Sequence, residues 1–291
     1  MSFQGIYTAL ITPFRNNQVD VDALEMLVIN QVNAGIHGLV ACGTTAETPT
    51  LTDDEFELVA STVIQTAGGQ VPVLVGTGQN DTDKTIARTK LAEQLGADGA
   101  LVVTPYYNKP QQEGLFLHFK EIAEACQLPM MLYNVPGRTG VCMTAQTTCR
   151  LARVPRIVAV KEASGSLSAI RDIVSGTFNE FDVLSGDDGM ALGSWALGSC
   201  GVVSVASNVA CGPMVQMWEA WKAGKVKEAA EIDRRLGPLY TALFVETSPA
   251  PVKFAAELLG ICSREVRKPL VSASSQTQEL IRTALVHAKL L

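Results

Sequence analysis

The stretch RIVAVKEASG, residues 156–165, has the pattern of a buried strand that ends in two charged side chains. Three of the four residues in its apolar run, 157–160, are β-branched, which favours a strand. A continuous apolar run of this length is typical of a parallel strand that is covered on both faces. Lys161 and Glu162 follow the run directly. The stretch therefore predicts a parallel sheet with a lysine at the end of one strand.

Similar runs recur along the chain, and their starts are about 20 to 35 residues apart, enough for one strand, one helix and two loops. The predicted strands are 6–11, 38–41, 71–75, 100–103, 130–133, 157–160, 182–184 and 202–205. Eight strands alternating with helices predict an α/β fold, a (β/α)8 TIM barrel. An open doubly wound sheet is the structural alternative, but no G-x-G-x-x-G motif follows the first run.

The segments between and after these runs have helical patterns. In the segment 52–69, Thr52 and Glu55 form a capping box and a glycine pair ends the helix. After the last strand the pattern is helical up to Leu291, and no Gly/Ser/Pro linker separates this part from the barrel. We therefore divide the chain into a barrel, 1–210, and an added C-terminal helical segment packed on it, 211–291.

Composition excludes several function classes. Of the 291 residues 47% are hydrophobic and 18% charged, which is enough apolar material for one large core. A net charge of −6 argues against nucleic-acid binding, which requires a basic face. The chain has no apolar span of membrane length, and its first residues, MSFQGIYTALITPF, lack the basic region of a signal peptide. We expect a soluble cytoplasmic protein.

Metal and thiol chemistry are also not predicted. The seven cysteines are odd in number and never spaced Cys-x-x-Cys, so we expect reduced, mostly buried thiols. The three histidines have no paired-ligand spacing, and Asp187 and Asp188 lack a third partner. No G-x-S-x-G hydrolase motif occurs. We expect no metal site.

The carboxyl ends of barrel strands carry the active site in this fold. At such an end, burial disfavours the ammonium form of Lys161, and a neutral amine can attack a ketone to form a Schiff base. A lysine that extends to solvent, or pairs with an acid such as Glu162, explains the same position. Position alone does not decide between these interpretations.

Other polar residues follow the same strands. Hydroxyl groups on Tyr133, Thr44 and Thr45 could relay the protons of Schiff-base chemistry, although packing at the rim explains each of them separately. Arg138, in a Pro/Gly-shaped loop, suits a substrate carboxylate or is a solvated surface arginine. Glu47 is interpreted as a structural residue that binds loop amides. Glycines after the last two strands leave a phosphate site as a second possibility.

Four motifs carry a resemblance to a known family: GTTAET (43–48), YYNKP (106–110), YNVPGRTG (133–140) and VKEASG (160–165). They resemble the motifs of the dihydrodipicolinate synthase family, a branch of the pyruvate-dependent class I aldolases that also include N-acetylneuraminate lyase. The similarity extends over effectively the whole chain. The motifs YNVPGRTG and VKEASG are highly specific to this wider superfamily as a whole.

The resemblance implies a lyase without a cofactor. Lys161 would form a Schiff base with pyruvate, and the resulting enamine would attack the aldehyde of L-aspartate-4-semialdehyde to give 4-hydroxy-tetrahydrodipicolinate. This is the committed step of lysine and diaminopimelate biosynthesis. The family typically assembles as a homotetramer, a dimer of dimers. No nucleic-acid or membrane partner is expected.

The resemblance also implies site residues. In the family, the counterparts of Tyr133, Thr44 and Tyr107 form a proton relay, with Tyr107 reaching in from the neighbouring subunit. The pyruvate positions match Thr45 and the backbone of Gly186 and Val203, and Arg138 matches the ligand of the semialdehyde carboxylate.

Two departures from the family pattern have consequences. Ala46 stands where the family usually has glycine, which is tolerable unless that residue needs a positive φ. In the allosteric cleft Asn80 and Tyr106 are kept, but Phe56 and Lys84 align with the histidine and glutamate of lysine-sensitive members. Because Lys84 would repel a cationic ligand, we expect weak or absent lysine inhibition.

Two alternatives remain for the function. The first is an N-acetylneuraminate lyase or another 2-keto-acid aldolase that uses the same lysine. Arg138 and the Thr44-Thr45 pair argue against it, since sugar-acid lyases generally lack the arginine and more often have Ser-Thr. The second is a ligand-responsive barrel without catalysis, which predicts loss of Lys161 or of the tyrosine pair.

Overall fold

Eight parallel strands close into a barrel in the order β1-β10-β9-β8-β7-β6-β5-β4. The computed structural model describes residues 2–177 and 181–291. The strands are β1 (Gly5–Ala9), β2 (Phe14–Arg15), β3 (Gln18–Val19), β4 (Gly38–Ala41), β5 (Val73–Gly76), β6 (Gly99–Val103), β7 (Met130–Asn134), β8 (Ile157–Glu162), β9 (Asp182–Ser185) and β10 (Gly201–Ser204). Each predicted run overlaps one barrel strand and differs from it by at most two residues at either end. The barrel prediction is confirmed, and the small hairpin β2-β3 is additional.

Strand β8 continues two residues beyond the predicted run because its neighbours pair with it there. Lys161 is in register with Tyr133 on β7 and with Leu184 on β9, and Glu162 pairs with Asn134. The lysine is thus a member of the strand, held by ladder partners on both sides. Successive residues of a strand point to opposite faces, so the two charged side chains diverge.

Helices follow most of the barrel strands. They are α1 (Val21–Asn33), α2 (Asp53–Ala67), α3 (Thr82–Gln94), α4 (Gln112–Ala125), α5 (Pro136–Thr139), α6 (Ala145–Leu151), α7 (Leu167–Gly176), α8 (Ala191–Ala196), α9 (Ser207–Lys222), α10 (Val226–Ala242), α11 (Ala250–Leu258) and α12 (Ser275–His287). The predicted capping box is present at α2, where Thr52 and Glu55 bond each other's backbone amides. Gly68 ends this helix with φ 56°, a left-handed conformation that favours glycine.

The helical pattern expected up to Leu291 is wrong for residues 259–274, which join α11 to α12 without a helix. Gly260 follows α11 with φ 70°, and Pro269 interrupts the next stretch. The backbone of this segment bonds to side chains elsewhere: the Arg267 amide donates to Glu47, and the Glu265 carbonyl accepts from Lys253. These partners replace the bonds that a helix would have supplied.

The chain forms two compact units. The first, which we call the lysine unit, comprises the described residues of Met1–Gly5 and Pro72–Val203 and contains Lys161. The second, the threonine unit, comprises Ile6–Val71 and Ser204–Leu291 and contains Thr44. The division of the chain at residue 210 stays a prediction.

All seven cysteines are free, but only Cys42 and Cys126 are fully buried, and Cys142 is exposed. Burial raises the pKa of Cys211 to about 12 and that of Cys262 to about 11, which keeps these thiols protonated and unreactive at neutral pH. In the described part of the chain, no helix has both the length and the apolar character needed to cross a membrane.

His118 predicts a pH dependence of stability. It is 6% exposed on α4, its Nδ1 lies 2.9 Å from Thr82 Oγ1, and burial lowers its pKa to about 4. The unfolded chain therefore binds a proton between about pH 6.5 and 4 that the folded chain does not, so stability falls as the pH falls through this window, by about 3 kcal/mol in all.

The test is the urea midpoint of unfolding measured at several pH values. His118→Gln is expected to lose this share of the acid sensitivity, whereas His287→Gln, which changes an exposed histidine, keeps it. Equal acid sensitivity in wild type and His118→Gln would contradict the assignment.

Candidate active site

Lys161 and Tyr133 form the centre of the lysine unit's polar site. Lys161 is 5% exposed and Tyr133 7% exposed, and the two residues are directly paired across β7 and β8. The Lys161 Nζ atom lies 4.2 Å from the centroid of the Tyr133 ring. An amine and a phenol thus meet in a largely water-excluded place, where the first can act as a nucleophile and the second can transfer protons.

Gly186, directly after β9, leaves the space that the Lys161 side chain occupies. A Cβ atom at this position would lie 2.6 Å from the Ala163 Cβ, 3.0 Å from the Lys161 Cε and 3.1 Å from its Cγ. These distances are shorter than ordinary van der Waals contacts, so a side chain here would clash with Ala163 and force the Lys161 side chain to shift by a few tenths of an ångström. Sequence reasoning assigned this glycine to pyruvate through its backbone, and the structure adds a packing reason for its lack of a side chain.

Glu162 anchors the ends of β7 and β8. It is 2% exposed, and its carboxylate accepts hydrogen bonds from the Ser164 amide at 2.8 Å and from Asn134 Nδ2 at 2.9 Å. Asn134 in turn accepts from the Met143 amide at 2.9 Å. Glu162 is therefore engaged in a network of its own, which ties the end of β8 to the end of β7.

The loops that carry Tyr107 and Arg138 are joined by Thr139. The Tyr107 amide donates to the Thr139 carbonyl at 3.2 Å, and the Thr104 hydroxyl lies 3.4 Å from that of Thr139. Tyr107 has φ 74° and its side chain is 88% exposed, an unusual combination for an aromatic residue. Arg138 is exposed on the one-turn helix α5. One anchor therefore positions both predicted site loops.

Thr44 and Thr45 lie in the threonine unit, in a 3-10 turn (Thr44–Ala46) shortly after β4. Thr45 is 5% exposed and Thr44 is half-buried. Cys42 and Glu47 are the left-handed residues near this turn, with φ 52° and 57°, whereas Ala46 belongs to the 3-10 turn and has no positive φ. The extra methyl group of Ala46 therefore causes no backbone strain of the kind that would require glycine.

The remaining predicted residues are divided between the two units. Val203 is fully buried on β10. In the lysine unit the Tyr106 hydroxyl donates to Gln79 at 3.2 Å, and the Asn80 carbonyl accepts from Asn108 at 2.7 Å. Lys84 is exposed in the first turn of α3, and Phe56, in the threonine unit, is 1% exposed.

Among residues 2–177 and 181–291, no group of three or more His, Cys, Asp or Glu side chains is arranged to hold a metal ion. The group beside the Lys161 amine is the phenol ring of Tyr133, while the Asn134 amide and the Glu162 carboxylate bond each other in a separate network. This set suits nucleophilic and acid–base chemistry by the amine and the phenol.

Residues 2–288 match the sequence model of the dihydrodipicolinate synthetase family. The chain belongs to this family. It is 46% identical over 289 residues to the 4-hydroxy-tetrahydrodipicolinate synthase of Magnetococcus marinus, with 99% of each chain covered. The crystal structure of dihydrodipicolinate synthase from Thermotoga maritima superposes with a TM-score of 0.98 at 44% identity, covering 99% of both chains. The chloride-inhibited dihydrodipicolinate synthase from Acinetobacter baumannii, complexed with pyruvate, gives a TM-score of 0.97 at 40% identity and full coverage of both.

For this dihydrodipicolinate synthetase family member, sequence reasoning missed two residues that contact Glu47. Glu47 Oε1 lies 2.6 Å from Lys253 Nζ, and its other oxygen accepts the Arg267 amide at 2.8 Å. The prediction that Glu47 binds a loop amide is confirmed. A signal for Lys253 was present, since it is the one lysine in the otherwise apolar start of APVKFAAEL (250–258) and a buried lysine requires an acidic partner.

Proposed function

We propose that this chain is a 4-hydroxy-tetrahydrodipicolinate synthase, a lyase that condenses pyruvate with L-aspartate-4-semialdehyde. The observation that carries the proposal is the full-length similarity to enzymes of that name. The buried lysine–tyrosine pair on β7 and β8 is the chemistry that such a condensation requires. The reaction commits carbon to lysine and diaminopimelate biosynthesis, and we expect it in the cytoplasm.

Lys161 is the proposed nucleophile. Its neutral amine adds to the C2 carbonyl of pyruvate, and the carbinolamine loses water to give an imine. Loss of a proton from C3 gives the enamine, whose carbon attacks the aldehyde of the semialdehyde, and the resulting alkoxide takes up a proton. The substrate's amino group then attacks the imine carbon, which closes the ring and releases the lysine. The imine that pyruvate forms with the protein's own amine serves as the electron sink, so no cofactor is proposed.

Tyr133, Thr44 and Tyr107 are the proposed proton relay, and Thr45 with the backbone of Gly186 and Val203 is the proposed pyruvate site. For Tyr133 the support is its ring contact with Lys161. For Thr44 and Thr45 it is their place in a fixed turn after a barrel strand. Arg138 is the proposed ligand of the semialdehyde carboxylate, since a guanidinium binds carboxylates in a bidentate manner.

The proposed assembly is a homotetramer in which the exposed Tyr107 ring of one subunit serves the site of the next. The Tyr107 side chain is 88% exposed on a left-handed backbone, so burial within its own chain stabilises it little. This exposure supports the proposal that the ring packs against a neighbouring subunit. Sedimentation of wild type and Tyr107→Ala would measure this contribution to assembly.

The proposed function is tested by incubating the purified chain with pyruvate and L-aspartate-4-semialdehyde, and in parallel with pyruvate and N-acetylmannosamine. We expect consumption of pyruvate with the semialdehyde only. Borohydride reduction in the presence of pyruvate is expected to leave a covalent adduct on the Lys161 peptide. Pyruvate consumption with N-acetylmannosamine alone would favour the lyase alternative, and absence of both reactions would overturn the enzyme proposal.

Gly186→Ala is expected to lower kcat about 100-fold, because the added methyl group clashes with the Ala163 Cβ and forces the Lys161 stem to shift by a few tenths of an ångström. Borohydride trapping of pyruvate should slow in parallel, since the misplaced group is the nucleophile. Gly189→Ala is the matched control: its new Cβ atom would meet only Asp187 Oδ1 at 3.5 Å, an ordinary contact. Wild-type rates in Gly186→Ala would contradict the packing argument.

Lysine is expected to inhibit the enzyme weakly or not at all. Lys84 is exposed and presents a positive charge where lysine-sensitive relatives are expected to have an acid, so it repels the cationic end of the ligand. Steady-state titration measures the effect, and Lys84→Glu, which reverses the charge, is the comparison. Half-inhibition of the wild type below about 1 mM lysine would contradict the prediction, since such an affinity requires net attraction at the site.

A further inference from the structure

A fully buried ion pair lies beside the Thr44–Ala46 turn in the threonine unit. Lys253 is 0% exposed and Glu47 is 3% exposed, and their charged atoms are 2.6 Å apart. Taking both charges out of water is costly, and a well-packed apolar pair at such a place is often at least as stable. A contribution to stability is therefore a weak explanation for the presence of this ion pair, and its contacts suggest a different role.

Each of the two groups has a further partner. Lys253 Nζ donates to the Glu265 carbonyl at 2.7 Å and lies 4.1 Å from the centroid of the Phe14 ring. The second oxygen of Glu47 accepts the Arg267 amide at 2.8 Å. Burial lowers the pKa of Lys253, and the adjacent Glu47 carboxylate opposes that shift. Glu47 is thus tied to two segments far away in the chain.

The backbone of Glu47 is left-handed, with φ 57° and ψ 33°. Its amide donates to the Thr44 carbonyl at 3.1 Å, and its own carbonyl accepts from the Thr50 amide at 2.9 Å. It therefore closes the turn that contains Thr44 and Thr45 and opens the next turn (Thr48–Thr50). A residue with a Cβ atom is strained in this conformation, which glycine adopts freely. The side-chain contacts of Glu47 compensate for the strain.

The Arg267 side chain stabilises the Thr48–Thr50 turn. Its guanidinium donates to the Thr50 carbonyl at 2.9 Å and to the Asn17 carbonyl at 2.7 Å, and it forms a two-pronged ion pair with Glu55 at 2.5 and 2.6 Å. Since the amide of the same residue binds Glu47, one residue of the 259–274 segment fixes both ends of the Thr48–Thr50 turn.

We propose that Glu47 and Lys253 are positioning residues, which hold residue 47 in its left-handed conformation and so place the Thr44 and Thr45 hydroxyls for catalysis. Neither residue touches substrate in this proposal. The inference presupposes the proposed function, in which Thr45 contacts pyruvate and Thr44 relays protons. The Glu47–Lys253 ion pair then affects catalysis through Thr44 and Thr45, in addition to its structural role.

The decisive comparison is between two double variants, Lys253→Met with Glu47→Gly and Lys253→Met with Glu47→Ala. Both remove the ion pair and leave no buried charge, but only glycine adopts the left-handed backbone without strain. We expect the double variant with Glu47→Ala to raise the KM for pyruvate at least tenfold and to lower kcat. In the double variant with Glu47→Gly, both constants should stay within about threefold of the wild-type values. A purely structural ion pair would affect both double variants equally.

Glu47→Gln is the conservative variant, because its amide oxygen still accepts the Arg267 amide. We expect it to fold and to raise the KM for pyruvate three- to tenfold, with the KM for the semialdehyde unchanged. If neither double variant folds, this measurement decides: a wild-type KM for pyruvate in Glu47→Gln would overturn the proposal. Equal kinetic constants for the two double variants would also overturn it.

Borohydride trapping of pyruvate on the wild type separates the two proposals. If the wild type gives no adduct at Lys161, the proposed function has failed. If it gives the adduct and turns over, but the alanine and glycine double variants have the same KM for pyruvate, only the positioning role has failed. Lys225→Met, which removes an exposed ion pair with Glu228 in the same unit, is the control for charge loss and should leave both constants unchanged.

Discussion

Lys161→Met is expected to lower turnover at least about 1,000-fold and to abolish borohydride trapping of pyruvate, because it removes the proposed nucleophile. Methionine has a similar length and no charge, so it fills the space between Tyr133 and the backbone of Gly186 without the amine. The fold should persist, since Lys161 is held in β8 by ladder pairs on both sides. The measurements are kcat, the mass of the 161-containing peptide after reduction, and the thermal midpoint.

Lys120→Met is the matched control for Lys161→Met. Lys120 forms an exposed i,i+4 pair with Glu124, so its loss should change neither rate nor labelling. Lys161→Arg adds a second test, since arginine keeps the positive charge but does not form a Schiff base at neutral pH. Activity retained in either Lys161 variant would mean that another amine is the nucleophile or that the mechanism is not covalent.

The strands could be predicted from the sequence because barrel strands are short, continuous and apolar, and the chain repeats them at a steady interval. The position of Lys161 at a strand end followed from this pattern, although β8 continues two residues beyond the predicted run, to Glu162. The capping box of α2 was equally local, because Thr52 and Glu55 are three residues apart and each side chain accepts a bond from the other's backbone amide.

The support of the site was not predictable in the same way, because its partners are far apart in the chain. The Arg267 amide and the Glu47 carboxylate are separated by 220 residues, and no periodic pattern relates them. The crowding at Gly186 depends on where the Lys161 stem lies, which a single sequence does not specify. Sequence patterns therefore gave the residues at the strand ends, while the contacts that hold those residues required the structure.

The non-helical segment 259–274 differs from these supporting contacts, because its sequence contains local signals for the end of a helix. Gly260 and Pro269 are both common where helices end, yet the apolar and charged residues around them were interpreted as a continuous helix. Gly260 and Pro269 together indicate a loop, but they do not indicate its hydrogen bonds to Glu47 and Lys253.

Tyr133→Phe is expected to lower kcat about 100- to 1,000-fold, the usual contribution of a positioned acid–base group. The substitution keeps the ring, and with it the 4.2 Å contact with Lys161 Nζ and the packing of β7, and removes only the hydroxyl group. The KM for pyruvate should therefore stay within about threefold of wild type, because binding groups are retained while proton transfer is not. Borohydride trapping should still occur, but more slowly, since carbinolamine dehydration also needs a proton donor.

Tyr240→Phe is the control for Tyr133→Phe, since it removes a buried tyrosine hydroxyl that contacts Met214 in the threonine unit. It is expected to change the thermal midpoint slightly and kcat not at all. Comparing the two variants therefore distinguishes the effect of losing any buried tyrosine hydroxyl from the effect of losing the hydroxyl of the tyrosine that contacts Lys161.

If Tyr133→Phe retained wild-type kcat, the phenol would serve only to pack against Lys161, and the protons would have to move through Thr44 or solvent. If instead its KM for pyruvate rose in proportion to the fall in kcat/KM, the hydroxyl would be a binding group, and the relay would lose its central member.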